Sequence, residues 1–297
     1  MPFDGERRGS AGMQRFGGGH AAASGAPDRA GAPLIALEDV DITYRTISGD
    51  PIRAVAGLSL SVAEGEFYVL VGPSGCGKST ILRLLASLLS PASGRGTIGG
   101  EPLPRARSGV AFVFQEATLL PWLTVEQNVL LPCRLGRERR KPRAARAADA
   151  TLARELLAMV GLQDYGSRYP SELSGGMRQR AGIARALVVK PRLLLMDEPF
   201  GALDAMTRES LNAELARIWQ ITGTTIVFVT HSITEAVFLA DRVGVMHGSP
   251  GTIVREVAVG APQPRDLAWM ETLAFGQAVG EVRHALFGTG RGGEILE

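Results

Sequence analysis

Strict alternation of apolar and polar residues in Leu58-Ser59-Leu60-Ser61-Val62 marks a strand with one buried face, because successive strand side chains point to opposite sides. Residues 34–37 and 40–44 read as two short strands ahead of it. After the turn Glu64-Gly65-Glu66, Phe67–Val71 is a continuous apolar run, the pattern of a strand buried on both faces. The run ends at Gly72. A helix is expected next, with Ile81, Leu82, Leu84, Leu85, Leu88 and Leu89 on one side and a stop at Ser90-Pro91. Residues 110–114, 192–196 and 225–230 repeat the buried-strand pattern, and 242–246 reads as a last strand. Residues about 117–185 are helical in character, including 151–160, and a further helix is expected over about 207–221. Strands alternating with helices after a strand-rich start predict an α/β fold with a parallel sheet fed by crossover helices.

The texture of the chain suggests three parts. Residues 1–33 are rich in Gly and Ala, with only Met1, Phe3, Met13 and Phe16 as sizeable apolar groups. That is too little apolar surface to offset the entropy of ordering, so a disordered tail is expected. Residues 34–250 form the main domain. Residues 251–297 form a short extension, with a strand or hairpin over 251–260 and a short helix near 267–287, and no function is read from it.

Composition narrows the function classes. Of 297 residues, 45% are hydrophobic and 21% charged, enough to bury a core. Thirty-two basic against 30 acidic residues leave a net charge of +2, which gives no electrostatic case for a nucleic-acid partner. Two cysteines, Cys76 and Cys133, are too few for a disulfide framework. The stretch 218–234 lacks charge but carries Gln220, Gly223, His231, Ser232 and several threonines, too polar for a bilayer span of about 20 mostly apolar residues. Arg7-Arg8 are followed by Gly, Ser and Ala rather than an apolar segment, so no signal peptide is expected. A soluble protein is expected, one that must use another protein's span for any work at a membrane.

Gly72-Pro73-Ser74-Gly75-Cys76-Gly77-Lys78-Ser79 is G-x-x-x-x-G-K-[ST], placed between a buried strand and an amphipathic helix as that motif requires. Its glycines let backbone N–H groups converge on a polyanion, and the helix N-terminus adds partial positive charge. Lys78 would reach the β- and γ-phosphates and Ser79 would hold Mg²⁺; Thr80 completes the candidate phosphate contacts. The strand over 192–196 delivers Asp197 and Glu198 at its C-terminal end, where ligands of parallel sheets bind. Asp197 would hold Mg²⁺ through water and Glu198 would polarise the attacking water. Together these motifs predict a nucleoside-triphosphate hydrolase built on a P-loop NTPase core.

Leu173-Ser174-Gly175-Gly176-Met177-Arg178-Gln179-Arg180 is a second candidate anion site, with Ser-Gly-Gly opening a helix over 179–187. One nucleotide has no use for two such cradles, unless the second serves another molecule's nucleotide. The string resembles the signature L-S-G-G-x-x-x-R of the ATP-binding cassette (ABC) family, and the resemblance extends over roughly residues 34–250. It implies an ABC ATPase with an N-terminal antiparallel β subdomain and an inserted helical subdomain at about 117–185. It further implies ATP and Mg²⁺, and a second cassette, in a homodimer or pseudo-dimer, paired head to tail. Ser174, Gly175 and Gly176 would then close on the γ-phosphate held by the partner. On the same resemblance Tyr44 stacks on adenine, and Gln115 senses γ-phosphate and Mg²⁺ and reports to a membrane partner. Ala202-Leu203-Asp204 touches the opposite subunit, and His231 contacts the γ-phosphate. Every core motif is intact, so a competent ATPase is expected.

The string Leu119-Leu120-Pro121-Trp122-Leu123-Thr124-Val125 follows Gln115, where the family docks its membrane subunit. With residues 196–204 it resembles importer ATPases of the nitrate, aliphatic sulfonate and taurine group; cassettes for thiamine-precursor pyrimidines look similar. This implies integral membrane permease subunits and, indirectly, a periplasmic or extracellular solute-binding protein. It also implies a peripheral position on the cytoplasmic face of the inner membrane and a small anionic or polar solute. Trp122 and Leu123 are candidate interface anchors; the other account of Trp122 is a core residue. The competing class is a non-transport ABC machine. Repair ATPases carry a long coiled coil, and the 58 residues from Glu116 to Leu173 show no sustained heptads. Ribosome-associated types have two cassettes, against one phosphate loop here, while a single-cassette adaptor stays open.

Two features remain. Cys76 sits in the phosphate loop near a helix N-terminus that tends to lower a thiol pKa; it reads as incidental, although alkylation there should block nucleotide entry. No chemistry is read from Cys133. Arg134, Arg137, Arg139, Arg140, Lys141, Arg143 and Arg146 form either a solvated helix face or a contact for acidic lipid headgroups.

Overall fold

The computed structural model describes residues 32–45, 50–106, 109–135, 142–261, 263 and 265–288. The Gly/Ala-rich segment through residue 31 and Arg137, Arg139, Arg140 and Lys141 of the basic run lie outside the described residues. In chain order the strands are β1 (Ile35–Arg45), β2 (Pro51–Val62), β3 (Phe67–Val71), β4 (Ser93–Ile98), β5 (Glu101–Pro102), β6 (Val110–Val113), β7 (Leu193–Asp197), β8 (Thr225–Thr230), β9 (Arg242–His247) and β10 (Thr252–Ala258). The helices are α1 (Lys78–Leu85), α2 (Val125–Val129), α3 (Arg143–Met159), α4 (Gly175–Leu187), α5 (Ala205–Thr222), α6 (Ile233–Leu239) and α7 (Leu273–Phe287).

Two sheets form. β2-β1-β4-β5 is antiparallel, and β10-β9-β3-β8-β7-β6 is parallel apart from its edge strand β10. β3 shows why an unbroken apolar run makes a central strand. Phe67, Val69 and Val71 pack into the core shared with α2 to α7, while Tyr68 and Leu70 pack into the core under α1 and the antiparallel sheet. The Phe67 ring meets Trp219 of α5 edge-on at 5.5 Å. The order β3-β8-β7-β6 then decides where function lies. Four adjacent parallel strands end in the phosphate loop, His231, Asp197-Glu198 and the approach to Gln115, all at one edge of the sheet.

The structure departs from the sequence pattern in several places. The two short strands expected over 34–37 and 40–44 are one strand, β1. It is bent at Asp39, whose φ is 48°, and its pairing with β2 shifts register between Leu37 and Val40, as at a β-bulge. β2 starts at Pro51, seven residues before the alternating stretch. α1 ends at Leu85, because Ser87 turns left-handed (φ 54°) and its Oγ donates to the Ala106 carbonyl at 3.1 Å; Leu88 is exposed rather than on the packed side. α4 starts at Gly175, four residues before the expected helix, and α3 begins at Arg143. The expected helix near 267–287 divides into a 3-10 turn, Leu267–Glu271, and α7, with Thr272 capping the latter. Among the described residues no helix is long and apolar enough to cross a membrane.

Candidate active site

The phosphate loop follows directly from β3. At Gly72 a Cβ would come within 2.5 Å of the Met246 carbonyl oxygen, so only glycine lets the chain leave the strand there. Gly77 takes φ 94° as the residue before α1, turning the helix's first N–H groups into the loop. Lys78 is buried and donates from Nζ to the carbonyls of Gly72 at 2.8 Å and Pro73 at 2.9 Å, so its ammonium is folded into the cradle. Tyr44, on β1, donates from its hydroxyl to Thr80 Oγ1 at 3.1 Å, which places the ring beside the first turn of α1.

Ser79 Oγ donates to Asp197 Oδ1 at 2.8 Å, tying α1 to the end of β7. Burial raises the Asp197 pKa, and the neighbouring Glu198 charge pushes the same way against the Ser79 bond. A hydroxyl and a partly buried carboxylate held together are a hard oxygen donor pair, and a small divalent cation would relieve the carboxylate's desolvation. Among the described residues no cluster of three or more His, Cys, Asp or Glu side chains could hold a metal alone, so these two fit a cation that takes its remaining ligands from phosphate and water.

Glu198 adopts φ 42°, with its N–H on the Val229 carbonyl at 3.0 Å and its carbonyl accepting Gly201 N–H at 3.1 Å. Its Oε2 lies 3.1 Å from His231 Nδ1. A Cβ built on Gly201 would sit 3.6 Å from that same Oε2 and 3.8 Å from Gln115 Nε2, so Gln115 and Glu198 border one space. The structure therefore gathers Tyr44, the phosphate loop, Asp197, Glu198, Gln115 and His231 at one edge of the parallel sheet.

Ser174, Gly175 and Gly176 stand in a different place. Ser174 caps α4, its Oγ accepting Met177 N–H at 3.3 Å. The side-chain atoms nearest Gly175 and Gly176 belong to Arg178, Leu203, Thr207 and Leu211. Asp204 caps α5, accepting Thr207 N–H at 2.9 Å and the Thr207 hydroxyl at 2.7 Å; these bonds hold its carboxyl below the usual range. Ser174, Gly175 and Asp204 are exposed, and Leu203 and Thr207 set the starts of α4 and α5 side by side as an open pair.

Sequence reasoning missed the residues that connect these groups. Gln179 of α4 is buried and donates from Nε2 to the Phe114 carbonyl at 3.1 Å, beside Gln115. Arg185, two turns on, donates to the carbonyls of Ala117 at 2.8 Å and Thr118 at 2.9 Å. Asn128 is fully buried, accepting Leu120 N–H at 2.7 Å and donating to the carbonyls of Leu120, Leu123 and Thr124. Asn128 thus holds the loop that presents Trp122, which is 70% exposed; the core account of Trp122 does not hold. A polar residue on the apolar face of a helix was the available signal for Gln179 and Asn128. Cys76 is also corrected. Its side chain is buried, and burial pushes the thiol pKa up rather than down. Of the basic run, Arg134 and Arg146 are exposed.

Comparisons with known proteins find similarity over most of the chain. A family model described as ABC transporter matches residues 55–201. The taurine import ATP-binding protein TauB of Mesorhizobium japonicum is 43% identical over 261 residues, 86% of this chain and 98% of that protein. The bicarbonate transport ATP-binding protein CmpD of Synechococcus elongatus is 40% identical over 235 residues, 79% of this chain and 83% of that protein. Among solved structures, a dimeric ATP-binding cassette in a post-hydrolysis state, bound to ADP and Pi, matches with a TM-score of 0.65 at 33% identity, covering 77% of this chain and 100% of that one.

Proposed function

The chain belongs to the ABC transporter family, and from that premise we propose that it is the ATP-binding and ATP-hydrolysing subunit of an importer for a small anionic or polar solute of the taurine, sulfonate or nitrate kind. The observation that carries the solute class is the 43% identity to a taurine import ATP-binding protein over nearly all of that protein's length. Identity to transport ATP-binding proteins also favours this reading over a single-cassette machine unrelated to transport.

In this reading the Lys78 ammonium exchanges its bonds to Gly72 and Pro73 for the β- and γ-phosphates of ATP, and the loop's N–H groups take the remaining charge. Ser79 and Asp197, with Gln115, hold Mg²⁺, which when bound supplies charge neutralisation on the phosphate oxygens. Glu198 aligns a water in line with the γ-phosphate and accepts its proton. His231 stands 3.1 Å from that carboxylate and contacts the γ-phosphate, so it keeps both partners in register. Catalysis is positioning and charge stabilisation of a loose phosphoryl-transfer state. Tyr44 supplies the adenine contact.

Ser174, Gly175 and Gly176 of one copy close on the nucleotide of a second copy, with Asp204 at the same seam. Closure pulls on permease helices docked at Gln115 and Trp122, and hydrolysis resets the pair. The protein works as a peripheral subunit on the cytoplasmic face of the inner membrane, and a periplasmic or extracellular binding protein delivers the solute to the permease. The test is to purify the chain together with candidate permease subunits and measure ATP turnover in vesicles. Turnover should rise when a binding protein loaded with taurine or a related sulfonate is added. Failure to co-purify with any membrane protein, or turnover that ignores the permease and the loaded binding protein, would contradict the role.

A further inference from the structure

Glu235, in the first turn of α6, is only 6% exposed and belongs to no motif discussed above. Ser232 caps this helix, and its Oγ accepts Glu235 N–H at 3.3 Å. In an ordinary capping box the glutamate would return the bond to the cap's own N–H. Here it does not. The Glu235 carboxylate instead accepts the Thr230 hydroxyl, and Thr230 Oγ1 accepts the Ser232 N–H at 3.0 Å. The bonds run from Glu235 to Thr230 to Ser232 and back, enclosing His231 between the last two.

His231 needs such a frame. Its side chain is 51% exposed, so packing does not fix the imidazole, and its recorded side-chain bond is to Glu198. The direction of the ring therefore depends on the backbone either side of it: Thr230 is held in register with Val71 of β3, and the Glu235–Thr230 pair ties that strand end to Ser232. Glu235 also faces α5. With Arg208, Asn212 and Ser232 it lines a cavity of about 130 Å³, and Arg208 Nη2 donates to the Leu203 carbonyl at 2.9 Å, next to Asp204. Arg208 Nε, Asn212 Oδ1 and Glu235 Oε1 are buried without a partner in the protein, which suits ordered water in that cavity. Burial raises the Glu235 pKa, opposed first by the Thr230 hydroxyl and then by the Arg208 charge.

We propose that Glu235 is a positioning residue for the hydrolytic step: through the Thr230 hydroxyl it fixes the peptide on both sides of His231 and so aims the imidazole at Glu198 and the γ-phosphate. The inference rests on the reading of His231 given under Proposed function.

The test is ATP turnover by the full-length protein carrying Glu235→Ala, Glu235→Gln or Thr230→Val, each alone and combined with His231→Ala. Glu235→Ala and Thr230→Val should each lower kcat about tenfold or more with KM for ATP within about twofold, a loss confined to the hydrolytic step. Glu235→Gln should recover most of the rate, because its amide oxygen can still accept the Thr230 hydroxyl. In the His231→Ala background none of the three should cost anything further, since a residue acting through another shows full coupling to it. Equal losses in both backgrounds, or unchanged kcat in Thr230→Val, would overturn the inference while leaving His231 in place. Full turnover by His231→Ala alone would instead remove the underlying reading, and the positioning role with it.

Discussion

His231 Nδ1 lies 3.1 Å from Glu198 Oε2, and the two residues end neighbouring parallel strands, β8 and β7. In the proposed mechanism the contact joins the group that faces the γ-phosphate to the group that activates water. Glu198→Gln keeps the size and one acceptor of this side chain but removes its basicity. Turnover should fall by about 10²–10⁴-fold, the usual contribution of a positioned base, while ATP affinity is retained. Phosphate release at saturating ATP and nucleotide titration measure the two effects. Size-exclusion chromatography in ATP should show the variant accumulating as a dimer. Undiminished turnover would exclude Glu198 as the base.

Ser174 is exposed, and its recorded side-chain bond is the cap to Met177 N–H. Replacing it by arginine costs about 1 kcal/mol of helix capping, too little to unfold the chain. Ser174→Arg should abolish hydrolysis yet leave ATP binding by the monomer intact if, as proposed, the start of α4 serves the partner's nucleotide. Binding is measured on dilute monomer and turnover at concentrations that permit pairing. Weaker monomer binding would mean that this helix serves its own nucleotide.

Contiguous signals were legible and distributed ones were not. The phosphate loop, the acid pair and the Ser174 to Gly176 turn are consecutive residues, each with a local reason to bind an anion or a cation. Phe67–Val71 was legible because both of its faces are buried. β4 was not, since Ser93, Gly94 and Arg95 are exposed and its strand character comes from pairing with β1. Gln179 and Arg185 act on backbone carbonyls 65 to 68 residues away, a relation no local pattern carries. The thiol of Cys76 was misread because the helix terminus is local whereas its burial is tertiary.

Trp122 stands 70% exposed on a loop that Asn128 holds rigid from below. A large exposed aromatic on a fixed support fits an interface anchor. Trp122→Ala should change stability by no more than about 0.5 kcal/mol, as for most surface substitutions. Solute uptake per ATP consumed, measured in vesicles with the permease, should drop sharply. Uptake unchanged at unchanged complex assembly would remove the docking role.

Gly251, just ahead of β10, lies against the phosphate loop. Its N–H donates to the Ala54 carbonyl at 2.9 Å and its carbonyl accepts Ala56 N–H at 3.0 Å, pinning it across β2. A Cβ at this position would fall 1.8 Å from the Cys76 carbonyl oxygen and 2.8 Å from the Cys76 carbonyl carbon. Neither atom is the end of a flexible side chain, so backbone must move, in the Gly251 turn or in the phosphate loop it presses on. Gly251→Ala should therefore cost about 1–3 kcal/mol of stability, as overpacking does. It should also weaken ATP binding, because the N–H groups around Cys76 lose their alignment, while Glu198 and His231 stay in place. Kinetically that is a raised KM for ATP with kcat reduced much less. Thermal unfolding with and without ATP separates the two effects: the variant should unfold earlier in both conditions and gain less from a given ATP concentration than the parent.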